Sequence, residues 1–120
     1  MRIEGKIAHY AFENIDNNRS LVFNTEATVS QDTLTTVATL AANGTRYITQ
    51  VICSGEENGR WGLYVDSSLV AVKRTTDRQV DFIFATPYKV SAGNSLDVKV
   101  THFGPDATAD FSATIMGFEE

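Results

Sequence analysis

The sequence predicts an all-β protein, an antiparallel two-sheet β-sandwich of about eight strands. Three observations carry that expectation. Apolar and polar residues alternate with period two along most of the chain. Clusters of turn-forming residues interrupt the alternation at short, regular intervals, and no helical segment stands between them. Strict alternation describes strands with one buried and one solvated face, the mark of antiparallel sheets.

Taken in order, strands are expected at 6–13, 20–29, 34–41, 46–54, 60–65, 69–75, 79–86 and 95–103, with a closing strand at 108–118 as a ninth. Residues 1–6 precede the clear pattern and read as an extended amino-terminal arm, suited to ordering on a partner or a neighbouring copy. Leu34 to Ala42 also suits a helical turn through Leu34, Val37 and Ala38, but its threonines and the lack of capping residues favour a strand. In the strand around Cys53, the parity places Tyr47, Val51 and Cys53 on one side. GRWGLYVD and LVAVKRTT flank Asp66-Ser67-Ser68, which makes them a β-hairpin with Trp61, Leu63 and Val65 facing inward. Val80, Phe82 and Phe84 oppose Asp81, Ile83 and Ala85. Leu96, Val98 and Val100 continue inward to His102, and Phe111, Ala113 and Ile115 oppose Ser112, Thr114 and Met116. The turns between them fall at Asp16-Asn17-Asn18, Asn43-Gly44, Glu57-Asn58-Gly59, Ala92-Gly93-Asn94 and Gly104-Pro105-Asp106.

With 120 residues, 42% of them apolar, the chain has the size and composition of one domain spanning residues 1–120. A domain of that length buries roughly two-thirds of its unfolded surface, enough for a core without staples. The net charge of −5 and the scattered basic residues exclude a coherent basic face for nucleic acid, Lys73-Arg74 being the one basic pair. No apolar run approaches a membrane span. The amino terminus lacks the apolar core of a secretory signal, so synthesis in a cytoplasm is expected.

Chemistry is sparse. Cys53 is the single cysteine, which rules out an intramolecular disulfide and reads as a buried thiol. His9 and His102 are the only histidines and have no metal-ligand spacing; His102 reads as a satisfied structural histidine. Glu56, Glu57 and Asn58 offer hard oxygens in a Gly-bounded loop, but no calcium-loop series supports them, and a solvated turn is the expectation. Asp81, Asp97 and Asp110 fall on outward parity. No nucleophile elbow or phosphate loop is present. No catalytic residue, cofactor or metal is therefore expected, and the protein reads as a non-enzyme. Trp61 reads as core, with Arg60 and the Gly55–Gly59 loop beside it. If a small ligand or partner is held, Arg60, Trp61, Tyr64 and Tyr88 are the contact candidates, the three aromatics serving as a stacking platform and Asn58 or Asp66 as further polar contacts.

The carboxy-terminal third carries a resemblance. Ala92-Gly93-Asn94-Ser95-Leu96 turns into an alternating strand, and the closing strand ends in Ile115-Met116-Gly117-Phe118. With the WGLYVDSSLVAV hairpin, these elements resemble the last strands of small jelly-roll virion modules of tailed bacteriophages, of the head-decoration (cement) or fibre type. The resemblance covers the chain from about Tyr47 onward and is structural in character. It implies a jelly-roll-like sandwich and a structural virion protein that decorates and stabilises the capsid. It further implies contact with the major capsid protein or another virion protein, often as a homotrimer, without nucleic acid, membrane or cofactor. A carbohydrate- or receptor-binding sandwich, for example of a phage tail or fibre, is the alternative.

Overall fold

Among the described residues eight strands form where the alternation runs: β1 (Arg19–Ser30), β2 (Leu34–Ala41), β3 (Arg46–Gly55), β4 (Gly59–Val65), β5 (Ser68–Arg74), β6 (Gln79–Val90), β7 (Ser95–His102) and β8 (Thr108–Glu119). The computed structural model describes residues 19–41, 43–75 and 77–120. The strand expected at 6–13, the arm at 1–6 and His9 lie outside the described residues. Leu34–Ala41 is a strand, as its threonines require.

The strands make two four-stranded sheets, ordered β1-β8-β3-β6 and β2-β7-β4-β5. Every neighbouring pair is antiparallel. Four of the pairings are nested, first strand with eighth, second with seventh, third with sixth and fourth with fifth. That is one long hairpin rolled onto itself, the eight-stranded jelly roll. The expected antiparallel two-sheet sandwich is the fold observed.

One core fills the space between the sheets. Val51, Trp61, Leu63, Val98, Phe111 and Ile115 are among its fully buried members. Each large apolar side chain contributes about 1.5–3 kcal/mol by leaving water. Trp61 meets Phe111 edge to face, with centroids 5.8 Å apart and planes at 67°.

Two irregularities depart from the sequence reading. In β3 the register slips between Ile48 and Gln50, against both β6 and β8. The extra residue, Thr49, reverses the side-chain parity. Ile48 is therefore buried with Val51 and Cys53, while Tyr47, expected to share their side, is only partly covered and stacks on Phe118 at 5.1 Å. Gly117 sits opposite Ile48, where a Cβ would collide with the Tyr47 carbonyl oxygen. The second departure is in β6, which runs four residues beyond its expected end at 86. Four residues, 84–87, stand opposite Thr49 alone, because Pro87 has no N–H for the ladder. Pairing resumes at Tyr88 with Ile48.

The β4–β5 hairpin closes through Asp66 and Ser67, both left-handed with φ of 50° and 71°. Two consecutive left-handed residues define a type I′ turn, whose twist matches that of the flanking strands. The Ser95 N–H also donates to Asp66 Oδ1 at 3.2 Å, tying the turn to the start of β7. This turn lies at the same end of the sandwich as the Arg19–Glu119 pairing. The loops at 31–33, 56–58 and 103–107 gather at the opposite end. There Asp32 N–H donates to His102 O and Phe103 N–H to Asn58 O, at 2.9 and 3.0 Å.

Candidate interaction surface

The four residues singled out in the sequence fall in three separate places. Trp61 lies between the sheets with 0% exposure, and its Nε1 has no hydrogen-bond partner. Its ring offers no surface for stacking. Tyr88 is on β6, the edge of the first sheet, where it packs against the core and meets Phe84 with ring centroids 5.7 Å apart. Arg60 and Tyr64 share the outer face of the second sheet, four residues apart with Gly62 midway between them on β4. The three aromatics are thus not assembled into one platform.

Tyr64 covers its neighbour. Gly62 is buried on the outward side of β4, and a Cβ there would lie 2.8 Å from Tyr64 Cε1. An aromatic ring folded over a strand glycine restores the cover that the missing side chain cannot supply. The Lys99 Nζ sits 4.7 Å from the centre of the Tyr64 ring. Lys99 is placed there because β7 pairs it with Gly62.

Arg60 has Thr101 of β7 on one side and Arg74 of β5 on the other. The Arg74 guanidinium lies 5.2 Å over the ring of Phe103, which is 44% exposed. Sequence reasoning found Arg60 and Tyr64 on this face and missed Arg74, Lys99 and Phe103. The Lys73-Arg74 pair was visible, but which of the two faces outward depends on register. Val70 is an extra residue in β5, so that Leu63 pairs with Ala71 while Tyr64 pairs with Leu69. Beyond this bulge Arg74 falls opposite Arg60, and Lys73 falls opposite Trp61 on the inward side.

The polar groups considered for ligands or ions serve the structure. Asn58 Oδ1 accepts from the Arg78 N–H at 2.7 Å and from Thr75 Oγ1 at 3.0 Å. Glu56 Oε1 accepts from the Asp110 N–H at 3.0 Å. The carboxyl of Glu57 has its pKa raised, by burial first and then by a hydrogen bond to Asp106 and the charge of that residue. His102 is fully buried: Nδ1 accepts from the Gly104 N–H at 3.0 Å, which leaves the proton on Nε2 to be donated to the Asp106 carbonyl at 2.8 Å. Among the described residues no cluster of three His, Cys, Asp or Glu is placed to hold a metal. Cys53 is buried, and burial, with the charge of Asp81, pushes its thiol pKa far up. Asp81 departs from its expected solvated state, since it is half-buried and its Oδ1 has no partner.

No protein-family model matches the chain, and no curated protein matches its sequence. Among solved structures, the fold is similar to that of a chain in the cyanophage Pam1 capsid asymmetric unit. The TM-score is 0.53, the sequence identity 9%, and the match covers 86% of each chain.

Proposed function

We propose that this chain is a structural virion protein of a bacteriophage, one that decorates the capsid and stabilises it through protein–protein contacts. The observation that carries the proposal is the fold shared with a cyanophage capsid chain over 86% of both chains. The resemblance of the Ala92–Leu96 turn and the Ile115–Phe118 strand end to phage decoration modules points the same way. The mechanism is physical and needs no bond making, so no enzymatic role is assigned. A protein that binds the assembled shell and not its free subunits shifts the equilibrium toward the shell by mass action. On this reading the partner is the major capsid protein or another virion protein, the working form is a homotrimer, and the protein is made in the host cytoplasm and retained in the virion.

The carbohydrate-binding alternative loses its platform, because Trp61 is in the core and Tyr88 belongs to the other sheet. The test is to purify virions from cells producing this protein, band them on a density gradient, and probe the fractions with antibody to the chain. Recovery in the virion band at constant ratio to the capsid protein is expected. Recovery in the soluble fraction alone would overturn the proposal.

A further inference from the structure

The two outer faces of the sandwich present different chemistry. On the first sheet two central outward rows, Val22–Met116–Gln50–Ile83 and Asn24–Thr114–Ile52–Asp81, are mostly apolar or neutral, and the charges on the flanking rows, Glu26 and Asp110 against Lys89, are mainly acidic. On the second sheet the outward positions bring Arg60, Arg74 and Lys99 together. Arg60 and Arg74 are direct register partners. Lys99 lies diagonally from Arg60 across β4 and β7, about 7–8 Å away.

None of these three cations has an ion-pair partner among the described residues. That is notable in a chain with 15 acidic and 10 basic residues, where carboxylates are in excess. Like charges directly opposite on a sheet are destabilising, yet Arg60 and Arg74 stand in that relation. Asp97, the register partner of Tyr64, is a carboxylate on the same face and leaves the local balance positive. Two of the cations are also held in place, Arg74 over Phe103 and Lys99 over Tyr64. Cations ordered before binding lose less side-chain entropy on meeting an anion.

We infer that this face docks an acidic stretch of a partner protein, with Arg60, Arg74 and Lys99 receiving its carboxylates. A guanidinium matches a carboxylate with two parallel hydrogen bonds, and a pair of them suits closely spaced Asp or Glu side chains. A neutral glycan needs an open ring face, and the faces of Tyr64 and Phe103 already carry cations. A nucleic acid needs a longer track of phosphate contacts than three cations supply, and the net charge of −5 repels it. The inference rests on the virion reading for the identity of the partner alone, which is then an acidic segment of a neighbouring virion protein.

The test is a titration of the isotope-labelled full chain, followed by amide NMR shifts, with three probes: an oligo-glutamate peptide, polygalacturonate and duplex DNA. Oligo-glutamate is expected to shift Arg60, Arg74, Lys99 and Thr101, with affinity falling as salt rises. The double variant Arg60→Gln/Arg74→Gln is expected to weaken it about fivefold or more with a thermal midpoint no lower than the parent's, since it relieves a like-charge pair, and Lys99→Gln to weaken it less. No shift at these residues, shifts confined to another face, or tighter binding of polygalacturonate or DNA than of oligo-glutamate would each overturn the inference. A chain that bands with virions and ignores oligo-glutamate loses this face and keeps the virion reading. The converse result keeps the face and loses the virion reading.

Discussion

At Glu57 the carboxyl group is held beside Asp106, and burial, a shared hydrogen bond and the neighbouring charge together raise its pKa. The folded chain therefore binds this proton more tightly than the unfolded chain does. The resulting stabilisation is fully present below the ordinary glutamate range and is lost as pH rises through the raised folded value. Replacement by Gln keeps the hydrogen bond and removes the charge. Glu57→Gln is expected to raise the thermal midpoint relative to the parent at about pH 8 and to leave it nearly unchanged at about pH 4. Calorimetry at both values checks this, and equal shifts at the two would contradict it. At this scale the sequence was legible wherever parity ran unbroken: Trp61 and His102 are buried as their strands require. Tyr47 was not, because Thr49 adds a residue that no local pattern announces. Arg74 was missed for the same reason, since its outward position depends on the extra Val70.

One strand open to unwanted pairing is β5. It is an edge strand, and Leu69, Val70 and Val72 are all exposed. Two devices blunt it. The bulge at Val70 breaks the regular ladder, and Lys73 points its charge inward along the open side of the sandwich. There its Nζ donates to the Asp81 carbonyl at 2.8 Å and lies 5.7 Å from the centre of the Phe82 ring. The lysine thus links the edge strands β5 and β6 of the two sheets and denies the site to an incoming strand. Lys73→Val is expected to yield species larger than the parent's, growing with concentration in light scattering; an unchanged mass would remove Lys73 from this role. Among the described residues the strands were legible element by element, including the ambiguous β2. The excursion at 84–87 was not, because Pro87 punctuates the sequence without ending the strand.

Across the whole molecule the nested pairing sets the order of difficulty in folding. β1 finds its partner in β8, the last strand of the chain, and β2 finds its own in β7. Long loops must close before such contacts stabilise anything. Refolding from urea is expected to take about milliseconds to seconds, measurable by stopped-flow fluorescence of the buried Trp61. Recovery of full amplitude within microseconds would contradict it. Period-two alternation could identify the layers of this architecture but not the order of strands within them, since it states which side a residue faces and not which strand lies beside it. The jelly-roll order entered through the resemblance of particular turns. Arg19, at the start of β1, and Glu119, at the end of β8, are ladder partners, so the first and last strands of the nest bring these ends to within about 5 Å of each other. A unit with adjoining ends can be spliced into a surface loop of a host protein without prying apart the strands that loop connects. Spliced in this way, it would carry the His102 end farthest from its host, as the outward tip of a grafted cassette.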